Sequence, residues 1–442
     1  MSINSLTFNQ DFTGIGVATS KGIRIYHTEP FTTSYTSQDG DISLMEMLYL
    51  STLVAMVPAP RLLRLVNIKR GTTIVELTFP SKILGLRMNR NRLAVILEQN
   101  IHIYDIGNIK ALYTIDTPPN PLALCALSPD KDKSILAYPC PLQQTPLPAS
   151  VSTPSHVPPG SQEWHHAASQ NVGDVRIYDA QTGQALNTIQ AHKSAIGYLA
   201  LNASGTLLAT ASEKGTIIRV FEVPGGSGNQ PLFEFRRGTM PARIYHMSFN
   251  ATSTLLCVSS ASETVHIFKL VKPVKSDSMS PPTSPISTHR RTLSSSSRER
   301  SESVSSEDVA DPSFASEDAP PSLERRSSGW SGAIASKLRQ ASQSVGAGMA
   351  ARVGGYLPQS VTQGLEAQRD FAHVKIPRTH GSSGILRSIV AMSPNHPQLF
   401  VVTSEGQFGV YNIDLENGGD GVLERQHSIL DPRGTMMYNT DD

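Results

Sequence analysis

The chain has 442 residues and a formal net charge of +1. That length supports one large core or several small ones, and that charge offers no global basic field for nucleic acid, so anion binding has to be local. The three cysteines, Cys125, Cys140 and Cys257, have neither metal-ligand spacing nor a disulfide framework, which points to a reducing, intracellular setting. The opening Met-Ser-Ile-Asn-Ser-Leu-Thr lacks the basic and apolar regions of a signal peptide. The most apolar stretch, residues 47–59, is too short to span a bilayer, so any membrane contact is expected to be peripheral.

In chain order, a strand-turn-strand unit recurs. It begins as Gly14-Ile-Gly-Val-Ala-Thr-Ser with Gly22-Ile-Arg-Ile-Tyr, and a weaker copy follows over residues 53–66. Leu93-Ala-Val-Ile-Leu with Ile101-His-Ile-Tyr-Asp is next, then Ile135-Leu-Ala-Tyr and Val175-Arg-Ile-Tyr-Asp, split by an insertion. Further copies start at Leu207, Leu255 and Leu399. A third strand usually precedes each pair and ends in a turn, as in Leu6-Thr-Phe-Asn, Leu86-Arg-Met-Asn, Leu199-Ala-Leu-Asn and Met247-Ser-Phe-Asn. A fourth often follows, such as Thr73-Ile-Val-Glu-Leu-Thr-Phe. Four short strands repeating every ~40–45 residues predict propeller blades. The expected fold is therefore all-β, a seven-bladed β-propeller over residues 1–430 with long disordered insertions and a flexible tail over 431–442. Neither Trp164 nor Trp330 is followed by aspartate, so the expectation rests on the strand pattern rather than a Trp-Asp signature.

Residues 140–172, rich in Pro, Ser and Gln, read as a low-complexity loop inserted in blade 4. His165-His166 lies there without further ligands to complete a metal site. The second insertion, 271–369, falls in blade 6. Its 276–328 portion is dominated by Ser, Pro, Arg and Glu and cannot bury enough apolar surface to fold. Arg290-Arg291-Thr292-Leu293-Ser294 and Arg325-Arg326-Ser327-Ser328 resemble substrates of basic-directed kinases, and Ser280-Pro281 and Ser284-Pro285 of proline-directed ones. In 330–357, Trp330, Ile334, Leu338, Ala341, Val345, Met349 and Val353 recur at helical spacing, and no acid occurs from Trp330 to Leu365. An amphipathic segment that folds in a lipid interface fits this pattern; a core or partner-bound helix is the competing reading.

The stretch that carries chemistry is Phe235-Arg236-Arg237-Gly238. Successive strand side chains point to opposite sides, so two adjacent arginines serve two sites rather than one. Guanidinium forks suit phosphate oxygens. Gly238 is expected where a Cβ would obstruct the turn. On either side stand matching hydroxyl units, Ser212-x-x-x-Thr216 and Ser260-x-x-x-Thr264. Turn-forming Ser and Thr explain any one of these hydroxyls; the paired arrangement favours two phosphate cups.

Phe-Arg-Arg-Gly, followed by Ile244-Tyr-x-Met-Ser-Phe-Asn and Thr264-Val-His-Ile-Phe, resembles the PROPPIN family of polyphosphoinositide-binding propellers, over nearly the whole chain apart from the inserts. Gly354-Gly-Tyr-Leu-Pro358 and Val402-Thr-Ser-Glu-Gly-Gln-Phe add to the likeness. The resemblance implies binding of phosphatidylinositol 3-phosphate and phosphatidylinositol 3,5-bisphosphate, with no other cofactor. It places His192, Thr210, Ser212, Thr216, Arg219 and Arg236 in a first site, and Arg237, Ser260, Thr264 and His266 in a second, where Ser262 replaces a frequent lysine. It also implies that the blade 6 loop inserts into membranes, here through Trp330, Ile334, Leu338, Val345, Met349 and Val353. The implied partner is a lipid-transfer protein of the autophagy-related protein 2 type, met by Pro60-Arg61 within Ala59-Pro60-Arg61-Leu62, where relatives often have Ser-Pro-Arg-Arg. The implied setting is cytoplasmic and peripheral, on preautophagosomal, vacuolar and endosomal membranes.

No nucleophile–base pair, phosphate-binding glycine loop or metal cluster is visible, so a non-enzymatic protein is expected, and the resemblance implies a membrane effector in autophagy. A propeller scaffold that only joins proteins is the alternative, and a propeller enzyme with a site in the central channel a second rival.

Overall fold

The computed structural model describes residues 1–140, 173–224, 230–271, 367–378 and 384–430, with the backbone of 435–437. The predicted membrane segment, the kinase motifs and His165-His166 lie outside the described residues. One compact unit comprises Met1–Pro273 with Ala367–Asp442; the other, Val274–Glu366, is not described.

Seven sheets form, each built on four antiparallel strands. Blade 1 is β1 (Ile3–Phe8), β2 (Gly14–Thr19), β3 (Gly22–His27) and β4 (Thr32–Thr36); blade 2 is β5 (Leu44–Met47), β6 (Leu53–Ala59), β7 (Leu62–Asn67) and β8 (Thr72–Thr78). Blade 3 is β9 (Gly85–Met88), β10 (Arg92–Ile96), β11 (Asn100–Asp105) and β12 (Ala111–Asp116). Blade 4 is β13 (Ala126–Leu127), β14 (Ile135–Pro139), β15 (Asp174–Asp179) and β16 (Gln184–Gln190), so the first insertion joins its second and third strands. Blade 5 is β17 (Ile196–Leu201), β18 (Leu207–Ser212), β19 (Ile217–Glu222) and β20 (Phe233–Arg236). Blade 6 is β21 (Ile244–Phe249), β22 (Leu255–Ser260), β23 (Thr264–Lys269) and β24 (Ala372–Lys375), the second insertion joining its last two strands. Blade 7 is β25 (Ser388–Met392), β26 (Gln398–Thr403), β27 (Gln407–Asn412) and β29 (Val422–Ser428). The seven-bladed propeller is as the strand pattern predicts.

The second strand of each blade is packed on both faces, which is why it reads as a continuous apolar run: β2, β10 and β22 are buried throughout. The outermost strands β4 and β8 are largely exposed and mostly polar. The asparagine ending the first strand has one repeated job. Asn202 Oδ1 accepts from the amides of Thr206 and Leu207 at 2.8 and 2.9 Å, and Asn250 Oδ1 does the same for Thr254 and Leu255. Asn9 and Asn89 likewise hold Gly14 and Arg92. Ser128 replaces the asparagine in blade 4 and accepts from Ile135 N.

An apolar cluster fills every boundary between neighbouring blades. The ring closes without strand exchange. Blades 7 and 1 share Phe8, Val17, Tyr26, Phe400 and Phe408, and Tyr26 Oη and Arg24 donate to the Ile429 carbonyl. Two features escape sequence pattern. β28 (Gly419–Asp420), in the last loop of blade 7, pairs in parallel with β24 of blade 6. β30 (Thr435–Met437) pairs with β29, so the tail expected to be flexible is in part an added edge strand.

Candidate functional site

Register decides where the arginine strand points. On β20, Phe233 and Phe235 are buried, and Phe235 stacks on Phe268 of blade 6 at 4.7 Å between centroids. These rings join Ala209, Ala211, Ile218 and Val220 in the core between blades 5 and 6. The alternate residues Glu234 and Arg236 therefore share the opposite face, toward blade 4, with Thr210, Ser212, Ile217 and Arg219. Arg236 is exposed, with no side-chain partner among the described residues. Arg237 falls back to the blade 6 side and is only 6% exposed. The divergence of the two arginines is thus realised.

The first cleft is a connected row. His192, on the connector from blade 4, meets Thr210 with Nε2 and Oγ1 2.9 Å apart. Arg219, paired with Thr210 and with Glu234 across the sheet, donates to Ala191 O at 2.8 Å and to Glu234 Oε2 at 2.8 Å. Burial and the positive Arg219 hold His192 down to about 4, so it is neutral at pH 7. Ser212 is buried and Thr216 half-buried; the Thr216 carbonyl accepts the Arg237 amide. The cleft can offer Arg236, Arg219, hydroxyls and a neutral imidazole to a phosphate ester. Glu234, which the sequence reading did not single out, already engages Arg219. Its alternation with Phe233 and Phe235 was the available signal.

The second group lies on the blade 6 face turned toward blade 5, alternating with Val265 and Ile267, which face blade 7. Ser260 is 1% exposed and its hydroxyl meets that of Ser262 at 2.9 Å. His266 Nδ1 lies 2.8 Å from Asp370 Oδ2, and His373 of β24 stands beside it in register and 3.5 Å from the same carboxylate. The two histidines lower the pKa of Asp370 against the opposing effect of burial. Arg237 shows no hydrogen bond to Ser260, Thr264 or His266 among the described residues. Its Nε donates to Gly215 O at 2.9 Å and its NH2 to Met240 O at 2.6 Å, clamping the β18–β19 turn to the loop that leads to blade 6. The glycine that geometry demands is Gly215, with φ +62° and the Ala242 carbonyl 2.1 Å from any Cβ. The expectation for Gly238 is corrected: nothing lies within 4 Å of a Cβ there.

The two clefts are joined by the return of the insertion. Arg236 N donates to Gln368 O at 2.7 Å, Gln368 N to Glu234 O at 3.0 Å, and Asp370 then reaches His266. On blade 2, Pro60 and Arg61 are exposed at the β6–β7 turn, where Arg61 Nε donates to Phe79 O at 2.8 Å. A cavity of about 800 Å³ forms the central channel, and its lining includes none of the cleft residues. Glu46, Arg87, Tyr198 and His246 converge there from different blades, a convergence hidden by their separation in sequence. Burial pushes Glu46 up to about 7 and, with the field of Arg87, holds His246 down to about 4. Among the described residues no group of His, Cys, Asp and Glu could hold a metal ion, and no helix is long and apolar enough to cross a membrane.

The fold and site define a seven-bladed β-propeller whose adjacent arginines diverge toward two inter-blade clefts. The PROPPIN family model matches residues 2–147 and 161–291. Autophagy-related protein 18 of Emericella nidulans is 46% identical over 100% of both chains, and that of Aspergillus terreus 49% identical over 97% of this chain and 100% of its own. Among solved structures, KlAtg21, in complex with the coiled-coil of AgAtg16, is 25% identical with TM-score 0.62, covering 97% of this chain and 100% of its own. Kluyveromyces lactis Hsv2 shares the fold at TM-score 0.62 and 16% identity, over 97% of this chain and 99% of its own. The chain belongs to the PROPPIN family, the phosphoinositide-binding β-propellers of autophagy.

Proposed function

We propose that this propeller binds phosphatidylinositol 3-phosphate and phosphatidylinositol 3,5-bisphosphate through two clefts, on a cytoplasmic, peripheral path to preautophagosomal, vacuolar and endosomal membranes. The observation that carries the reading is the divergence of Arg236 toward blade 4 and Arg237 toward blade 6. One headgroup meets Arg236 and Arg219 beside His192, Thr210, Ser212 and Thr216. The other meets Ser260, Thr264 and His266, with Arg237 released from its carbonyls. The 330–357 segment adds hydrophobic depth between them. Modest sites on one body sum through effective concentration. Two residues act as internal anions: Glu234 on Arg219 and Asp370 on His266. A phosphate entering either cleft competes with that carboxylate, which favours multiply charged headgroups over weaker anions.

The bound propeller then presents the exposed Pro60-Arg61 turn to a lipid-transfer partner of the autophagy-related protein 2 type. A protein-docking role is favoured in its own right by the solved complex of KlAtg21 with a coiled-coil, at 25% identity to this chain. Kinases acting on the 276–328 loop would tune membrane affinity. Liposome co-sedimentation with phosphatidylinositol 3-phosphate tests the reading. Wild type is expected to pellet and Arg236→Thr with Arg237→Thr to stay soluble. Because Arg237 is buried, Arg236→Thr alone is measured beside it and is expected to lose part of the binding. If the double variant, shown to be folded, pellets like wild type, the two-cleft mechanism is wrong.

A further inference from the structure

At the face of the propeller carrying the blade-to-blade connectors, the channel opens into a second cavity of about 560 Å³. Arg87 of blade 3, Arg243 ahead of blade 6 and Arg387 ahead of blade 7 all line it, and no aspartate or glutamate does. The chain as a whole is nearly neutral, at +1, so this is a local excess that the fold assembles from distant segments. Arg243 and Arg387 are exposed, with no side-chain partners among the described residues. Arg87 is half-buried and fixed by donation to Leu86 O at 2.7 Å and Cys125 O at 3.0 Å. Asn4 and Ser404 add polar groups to the wall, and Asn4 holds the nearby Asp41 carboxylate at 2.6 Å.

Like charges gathered in a walled cavity focus their field and raise the local concentration of anions. Guanidinium forks from three directions match a ligand with several phosphates better than one with a single charge. The rim adds a second requirement. Leu122 is 50% exposed and Ile385 75% exposed, and both line the same cavity. Two exposed aliphatic side chains beside three arginines suit a ligand with an apolar ring face rather than inorganic phosphate. The cavity lies within the size range of small-molecule sites. We propose that this mouth is a receptor for a multiply phosphorylated, ring-bearing small molecule, separate from the blade 5 clefts.

The test is titration calorimetry of the full chain with inositol hexakisphosphate, paired with pelleting on vesicles containing phosphatidylinositol 3-phosphate. The proposal expects a binding event that Arg243→Ser with Arg387→Ser weakens at least about tenfold, the scale of losing a charge-assisted contact. It expects Arg236→Thr to leave that event unchanged, and the Arg243/Arg387 variant to pellet like wild type. Both arginines are exposed, so the variant should keep the wild-type melting temperature; Arg243→Glu alone, expected to weaken binding further per site, serves as the second variant. No binding by wild type would overturn the proposal, as would unchanged binding by both mouth variants or loss of all binding in Arg236→Thr. Pelleting lost in step with calorimetric affinity would overturn the assignment to a soluble ligand and move the chemistry to lipid headgroups.

Discussion

Glu234→Gln should strengthen headgroup binding. The carboxylate sits 2.8 Å from Arg219 Nε on the face that also carries Arg236. A phosphate gripped by the same guanidinium would lie roughly 6 Å from that carboxylate, the span of a doubly engaged fork. The pair is partly exposed, with side chains at 29% and 39%, so a solvent-weighted dielectric applies. At a dielectric of about 40–80, removing one charge at that distance changes the interaction by about 0.7–1.4 kcal/mol per unit of phosphate charge. That predicts about three- to tenfold tighter binding. The cost to folding is at most about 1 kcal/mol, as for other exposed ion pairs. Calorimetry with a short-chain, soluble phosphatidylinositol 3-phosphate measures it directly, and salt should shrink the gain by screening. Unchanged or weaker binding would refute the reasoning, because it would mean that Arg219 does not face the headgroup or that Glu234 is needed to aim it.

Other expectations follow from the same geometry. Arg237→Ala leaves the Gly215 and Met240 carbonyls without their donor and should cost about 2–4 kcal/mol in urea unfolding, whereas Arg236→Ala should stay within about 0.5 kcal/mol. Stability should fall on acidification between pH 6.5 and 4.5. His192 and His246, held at about 4 against 6.5 when unfolded, lose stability as pH falls through 6.5, while Glu46, raised from 4.5 to about 7, gains it as pH falls through 7. For these three groups the unfolded chain binds two protons more and one fewer, a net of one, or about 1.4 kcal/mol per pH unit, and His102 and His427, lowered chiefly by burial, add to the same direction. His246→Gln should flatten that slope in urea unfolding at pH 6.5 and 5. Acidic substitutions at Ser294 and Ser327 should weaken pelleting on phosphoinositide vesicles by adding charge near an anionic surface. Unchanged pelleting would remove the loop from regulation.

The blades were readable because their second strands are buried on both sides and, in blades 1, 3, 5 and 6, the first strand ends in an asparagine that caps the turn, giving two independent marks there. Blade 4 kept both marks in altered form, with Ser128 in place of asparagine and the insertion splitting its hairpin. What stayed hidden has backbone partners or needs register. Nothing in a two-residue Gly419-Asp420 strand advertises a parallel pairing. The acceptors of Arg237 are carbonyls, which every residue carries. Glu234 and Asp370 look like any solvated acid until three strands are aligned, and the arginines of the channel mouth come from three blades. Gly238 misled because a glycine beside arginines suggests a tight turn, while the tight turn belongs to Gly215.

Blade 6 is tied by main-chain hydrogen bonds to both neighbours, to blade 5 through Gln368 and to blade 7 through the β24–β28 ladder. A chain entering residue 367 from the insertion meets the Gln368 tie before β24, and the ladder to β28 within it. Tension on the insertion would therefore be borne first by Gln368 on the arginine strand and then spread over three sheets. An edge strand pulled alone peels one bond at a time; one anchored at its root and flank must be sheared. The point where the longest insertion returns is thus fastened to the blades on both sides of it.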